Sequence, residues 1–202
     1  MDTTVPYEEL NRRVNGYMVN TLLSPAMREF VRGIQLQLES RYGDLVWSVP
    51  PECLHITLMD WIAPLVEYAK DKDELFKEII KDYDYSFRES IKGRGEIAVE
   101  FNELHVGAGT IYLTGTDNGQ YQSIRNNFLE RVTLPPNTKQ PPQIIHTSIA
   151  RFTGVADLAP IKAFAAQQSI QFTEHVTKFD LVHETKVPML ERAVLDTYLL
   201  AG

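Results

Sequence analysis

The sequence predicts an α+β protein with a duplicated, two-lobed fold, in which antiparallel sheets line a central cleft and helices lie outside, with pseudo-twofold symmetry. A short motif that occurs twice is the first observation: residues 50–58 read PPECLHITL and residues 141–149 read PPQIIHTSI. The second observation is that strand-like and helix-like segments follow the same order around both copies. A repeat of this length indicates two similar units that bury their apolar faces together.

The first repeat begins with a strand-like segment at residues 16–22. The Ser-Pro pair at 24–25 is typical of a helix start, and Gly43 is typical of a helix end. Four apolar residues between them recur at helical spacing and predict one inward face: Met27, Phe30, Ile34 and Leu38. Beyond the motif, a charged amphipathic helix is predicted over 71–91 and a strand over 96–106.

The second repeat follows the same plan. A strand is predicted at 110–114, and a helix follows whose apolar face comprises Tyr121, Ile124, Phe128 and Val132. After the second motif copy, a shorter helix is predicted over 157–168 and a strand over 177–185. A last strand is predicted over 193–200.

The length of 202 residues and the 44% share of hydrophobic residues allow a substantial core. We therefore expect one domain over 1–202, with lobes built from repeats at about 16–106 and 107–202. No apolar run is long enough to span a membrane, and the first residues lack a signal-peptide pattern. Cys53 is the one cysteine, which excludes an internal disulfide framework and fits a reducing compartment. We expect a cytoplasmic monomer that does not bind membranes.

The net charge of −7 argues against sequence-independent binding of duplex DNA, because that affinity comes largely from Lys and Arg contacts with phosphates. A few local cations could still hold one phosphate. Arg151 follows His146 by five residues, which places it on the opposite strand face if the strand runs straight; a bend could return it to the cleft. The alternative is a solvated or ion-paired arginine at the strand end.

Side chains alternate between the faces of a strand, so His55 and Thr57 project together, as do His146 and Ser148. Two histidines that face one cleft can serve as an acid and a base. The alternative is that they are buried, hydrogen-bonded strand residues. Cys53 would share the face of His55 and could be a nucleophile, although an isolated cysteine more often acts as a small buried apolar residue.

The sequence contains no motif for a metal or a cofactor. The HExxH pattern, zinc-type cysteine pairs, phosphate-binding glycine loops and dinucleotide glycine fingerprints are all missing. We therefore expect neither a metal nor a cofactor, and chemistry carried by acid and base side chains.

The paired His-x-Thr/Ser strands in a duplicated α/β arrangement resemble the two-histidine (2H) phosphoesterase superfamily, over about residues 17–200. The resemblance implies that His55 and His146 are catalytic and that Thr57 and Ser148 bind phosphate. Arg151 stands where the ligase-like branch of the superfamily often has an arginine.

The chain also departs from that branch. Asp60 stands where the branch usually has an aromatic residue, and Ser148 stands where threonine is more common. Another branch of the superfamily resembles this chain in having an aspartate at that place.

The resemblance implies a metal-independent phosphodiesterase that hydrolyses a cyclic phosphate or phosphodiester of a nucleotide or RNA end. One alternative is a non-catalytic module that binds nucleotides or RNA ends in the same cleft. A third reading is a metal-dependent hydrolase in which His55 and His146 are ligands, with Asp60 nearby. Four further residues are candidate substrate contacts, with a place in the core or in strand packing as the alternative for each: Tyr17, Trp61, Phe152 and His183.

Overall fold

The computed structural model describes residues 2–201 and contains two antiparallel sheets with four α-helices. The strands are β1 (Arg13–Leu22), β2 (Val46–Ser48), β3 (His55–Ile62), β4 (Ile97–Val106), β5 (Thr110–Thr116), β6 (Ile145–Phe152), β7 (Phe172–Val176), β8 (Lys178–Lys186) and β9 (Glu191–Leu199). The helices are α1 (Pro25–Tyr42), α2 (Lys72–Ile91), α3 (Gln120–Leu129) and α4 (Leu158–Ala166). The predicted fold class is confirmed.

The order of strands is β3-β1-β8-β9 in the first sheet and β2-β6-β5-β4-β7 in the second. Every hydrogen-bonded pair is antiparallel. The matching strands β4 of the first repeat and β8 of the second each join the sheet of the other repeat, since β4 pairs with β5 and β8 pairs with β1. Each sheet therefore combines strands from both repeats, and the arrangement β3-β1-β8 is matched by β6-β5-β4.

The motif strands β3 and β6 carry the same irregularity. Each has one extra residue directly after the motif hydroxyl, Leu58 in β3 and Ile149 in β6, where the register of pairing shifts. Such a bulge reverses the alternation of faces beyond it. Asp60 and Arg151, which both lie three residues after the motif hydroxyl, thus return to the face of the motif histidines.

Local signals explain the helix boundaries. The Ser24 hydroxyl accepts a hydrogen bond from the Met27 N–H at 3.2 Å and caps α1, whose other end meets Gly43 at φ 50°. Asp71 caps α2 in the same way, accepting from the N–H groups of Asp73 and Glu74. Caps of this kind satisfy backbone donors that have no partner inside the helix. The apolar faces of all four helices contribute to one continuous core.

Two short strands escaped the sequence patterns, namely β2 and β7, which lie at the edges of the second sheet. The helix α3 ends at Leu129, before Val132, so that residue does not extend its apolar face. Within residues 2–201, no helix combines the length and the apolar character needed to cross a membrane.

Candidate active site

A cavity of about 100 Å³ lies where the two motif strands face each other. His55 and Thr57 reach it from β3, and His146, Ser148 and Arg151 reach it from β6. These are the five residues that the sequence marked as catalytic or phosphate-binding. The fold brings both copies of the motif to one small space.

The bulge in β6 decides the position of Arg151. A straight strand would turn this side chain away from Ser148, whereas the extra residue Ile149 puts both on the cavity wall. The guanidinium lies over the ring of Tyr7, 4.6 Å from its centroid, and its buried Nε has no hydrogen-bond partner among the described residues. An arginine held over an aromatic ring with an unused donor is suited to an anionic ligand.

Hydrogen bonding sets the proton position on His55. Its Nδ1 lies 2.7 Å from the carbonyl oxygen of Cys53. Since a carbonyl oxygen only accepts, Nδ1 must carry the proton, and in the neutral ring Nε2 is the free base. Burial lowers the pKa of His55 from its ordinary value of 6.5 to about 4, although the bond to Cys53 acts in the opposite direction. His55 is thus neutral near pH 7.

His146 also lies near positive charges. Burial lowers its pKa, and the positive charges of Arg151 and Arg125 lower it further. Its Nδ1 is buried and has no hydrogen-bond partner in the described part of the chain. A bound phosphate would offset the charge of Arg151 and so favour the protonated ring.

Two carboxyl groups of the first sheet, Asp60 in β3 and Glu184 in β8, interact with each other and are not among the residues that line the cavity. Burial raises the pKa of Asp60 to about 6 and that of Glu184 to about 7. Asp60 is the positional counterpart of Arg151, because both follow the bulge of a motif strand. The two motif strands therefore differ at this position, with a cation in β6 and a carboxyl group in β3. No group of three His, Cys, Asp or Glu side chains within residues 2–201 is arranged to hold a metal ion.

A helix of the first repeat holds the bulge of the second. The side-chain amide of Gln35, in α1, donates from Nε2 to the carbonyl oxygens of Ile149 at 2.9 Å and Val49 at 2.8 Å. Gln35 is fully buried. This amide fixes the backbone between Ser148 and Arg151.

A helix of the second repeat likewise bonds to the bulge in the motif strand of the first repeat. Arg125, in α3 of the second repeat, donates from Nε to the carbonyl oxygen of Leu58 at 2.8 Å and from a terminal nitrogen to that of Thr57 at 3.1 Å. The guanidinium is almost fully buried. Each repeat thus anchors the bulge of the other's motif strand.

The turn between β8 and β9 closes one side of the cavity with Pro188. The backbone N–H of Met189 donates to the Glu184 carboxyl group. The Met189 carbonyl oxygen accepts from Arg192 at 2.8 Å and from the Cys53 thiol at 3.3 Å. Burial raises the pKa of Cys53, so the thiol stays protonated and serves the structure rather than acting as a nucleophile.

The four candidate substrate contacts lie away from the cavity. Trp61 is fully buried against Tyr83 and Phe128, and Phe152 is in the core. Neither ring is free to stack on a ligand, so these two predictions are wrong.

Tyr17 and His183 stack on each other, with centroids 4.6 Å apart. Phe76 of α2 covers Tyr17, on the strand face opposite to Thr57. His183 bonds to Asn15 through Nε2 at 2.9 Å. Both residues support the helix and do not reach the cavity.

Several residues in or around the site were not predicted from the sequence. Gln35 had a signal, because it lies in the buried stripe of α1 beside Ile34, where a polar residue is unusual. Arg125 sits beside Ile124 in α3 in the same way. Tyr7 and Pro188 come from distant segments, and no local pattern marks them.

Solved structures share this fold. TT0787 of Thermus thermophilus matches with a TM-score of 0.64 and 16% identity, over 93% of this chain and 98% of that one. A protein described as a phosphoesterase matches with a TM-score of 0.64 and 14% identity, over 93% and 99%. Apo LigT of E. coli matches with a TM-score of 0.59 and 11% identity, over 94% and 99%. No protein-family model and no curated protein matches the chain.

E. coli LigT has also been crystallised with 3'-AMP, phosphate, ATP and NADP+. The chain thus shares the fold of TT0787, of that phosphoesterase and of LigT, as a duplicated α+β fold.

Proposed function

We propose that the chain is a phosphodiesterase that hydrolyses a cyclic phosphate or phosphodiester of a nucleotide or RNA end, with two histidines as acid and base and without a metal. One observation carries the proposal: both motif histidines, both motif hydroxyls and Arg151 line a single cavity. The shared fold with a phosphoesterase and with LigT supports this reaction class. Complexes of LigT with 3'-AMP and phosphate support a nucleotide as the substrate.

The reaction needs two proton transfers. Water attacks phosphorus and gives a proton to one histidine, while the bond from phosphorus to the leaving ribose oxygen breaks and that oxygen takes a proton from the other histidine. Histidines on two facing strands suit an in-line attack, in which the base and the acid lie on opposite sides of phosphorus.

Three side chains are suited to bind the phosphate. The hydroxyls of Thr57 and Ser148 can donate to the non-bridging oxygens, where negative charge increases in the transition state. Arg151 adds a cation with an unused donor. The cavity of about 100 Å³ has room for a phosphate group but not for a whole nucleotide, so the rest of the substrate must lie outside it.

The test is a panel of 2',3'-cyclic mononucleotides, 2',5'-linked oligonucleotides and RNA with cyclic phosphate ends, incubated with the purified protein in EDTA. We expect turnover of at least one substrate, and a loss of about a hundredfold or more in kcat for His55→Ala and for His146→Ala. Circular dichroism checks that both variants fold. Near-normal turnover in either variant would refute the two-histidine mechanism, and tight binding without turnover of any substrate would favour the binding module.

A further inference from the structure

A groove of about 690 Å³ opens on the second sheet beside His146. Thr114 and Tyr112 of β5 lie in it, and they are the cross-strand partners of His146 and Ser148. Because residues paired across antiparallel strands project to the same face, the groove continues the catalytic surface. His105 of β4, the partner of Tyr112, extends the surface by one more strand.

Tyr112 and His105 form a flat aromatic surface, which we call the Tyr112–His105 platform. The two rings are nearly parallel, with an interplanar angle of 18° and centroids 5.3 Å apart. Tyr112 also meets the ring of His146 edge-on, at 5.8 Å. The His105 side chain is 41% exposed. The platform thus runs outward from a proposed catalytic ring and stays open to solvent.

The charge of the groove limits what it can hold. Glu103 and Asp117 contribute carboxyl groups, and no Lys or Arg is among its described lining residues. A second phosphate would be repelled there, whereas a neutral ring would not. Three amide side chains at the rim offer donors and acceptors for the edge of a planar heterocycle: Asn102, Asn118 and Gln143.

At the matching positions of the first lobe, the described residues are packed more closely. Asn20 and Leu22 stand opposite Thr57 and His55, at the places that Tyr112 and Thr114 occupy in the second lobe. Asn20 is fully buried, and its amide contacts the sulfur of Met189 at 3.8 Å. Room for a large group next to the cavity is therefore found on the side of His146.

We propose that this groove binds the nucleobase of the substrate, stacked on the Tyr112–His105 platform, while the phosphate lies in the cavity. The proposal rests on the proposed function and deepens it. In a cyclic nucleotide the leaving oxygen belongs to the ribose, which would then lie next to His146. His146 gives its proton to that oxygen as the bond to phosphorus breaks, and Nε2 of His55 takes the proton of the attacking water.

Calorimetric titration with 3'-AMP and with inorganic phosphate tests the proposal without turnover. We expect the wild-type protein to prefer 3'-AMP, and Tyr112→Ala to reduce that preference by about 5- to 150-fold, the range that stacking of one base on an aromatic ring provides. Tyr112→Leu, which keeps an apolar side chain in the strand, should reduce it similarly. Tyr85→Ala removes an exposed tyrosine from α2, outside the groove, and is the matched control.

An unchanged preference in both Tyr112 variants would overturn the proposal, as would a wild-type protein that binds 3'-AMP no better than phosphate. The proposed function fails separately. Suppose that the wild-type protein hydrolyses nothing in the panel but prefers 3'-AMP to phosphate, and that the Tyr112 variants lose this preference. The groove is then the nucleobase site, and the proposal of phosphodiesterase activity is wrong.

Discussion

Replacing Gln35 tests the support of the site without replacing a residue that lines the cavity. In Gln35→Leu the side chain keeps most of its volume but loses both hydrogen bonds, to the carbonyl oxygens of Val49 and Ile149. Each bond contributes about 1 kcal/mol net to stability. Since Oε1 of Gln35 is buried and unpaired, its removal offsets part of that loss.

We therefore expect the free energy of unfolding to fall by about 1 to 2 kcal/mol, which lowers Tm by about 2 to 8 °C in a chain of this size. We also expect kcat to fall about tenfold or more, because the bulge that positions Ser148 and Arg151 loses its anchor and small displacements at a catalytic centre are costly.

Gln37→Leu is the matched control for this experiment. Gln37 lies two residues further along α1, is exposed, and makes only a 3.5 Å contact with the carbonyl oxygen of Gly33. Urea unfolding gives the stability of both variants, and the cyclic nucleotide assay gives kcat. If Gln35→Leu equals Gln37→Leu in both measurements, the bulge does not depend on the amide and the reasoning is wrong.

Four further outcomes are expected. Thr57→Val and Ser148→Ala should lower kcat with little change in KM in steady-state assays, because their bonds strengthen in the transition state, whereas Arg151→Ala should chiefly raise KM. The plot of kcat/KM against pH should be bell-shaped with its maximum below pH 6.5, since burial lowers the pKa of both histidines; a maximum above pH 7 would contradict this. In a substrate that carries sulfur in place of the leaving ribose oxygen, the sulfur departs without taking a proton. His146→Ala should therefore recover turnover of this substrate, and His55→Ala should not. The pKa of Glu184 is about 7 in the folded state, against an ordinary value of 4.5. Its contribution to the free energy of unfolding is therefore present below pH 4.5 and is lost as pH rises through 7. Over that interval, urea unfolding should show that the free energy of unfolding of Glu184→Gln increases by about 3 kcal/mol relative to that of the wild type.

The elements that the sequence predicted are those with local signals. Helical spacing of apolar residues, capping residues and the repeated motif depend on neighbours in the chain, and they correctly indicated α1, α2 and the two motif strands. The short edge strands β2 and β7 have three and five residues, too few for a periodic pattern to emerge.

The candidate site was predictable only up to the bulges. The alternation of side chains along a strand placed His55 with Thr57 and His146 with Ser148. For a straight strand it also placed Arg151 on the face opposite to His146. The extra residue Ile149 reverses that assignment, and nothing in its side chain distinguishes it from any other strand isoleucine. Its position depends on Gln35, which is 114 residues away in the chain and close only after folding.

The aromatic residues illustrate the same limit. Tyrosine, tryptophan and phenylalanine suit both a core and a stacking surface, so composition cannot separate Trp61 from Tyr112. The two residues differ in burial by neighbouring elements: α2 and α3 pack over Trp61, while Tyr112 faces the open groove.

The exchange of strands between the repeats has a consequence for biosynthesis. Asn20 in β1 pairs with Asp180 in β8, so the first sheet is incomplete until the segment through β8 has left the ribosome. Pairing between such distant segments is slow, because a long loop must close before any contact forms. The N-terminal half should therefore emerge with the flank of β1 unpaired, and we expect it to depend on chaperones until the C-terminal strands arrive.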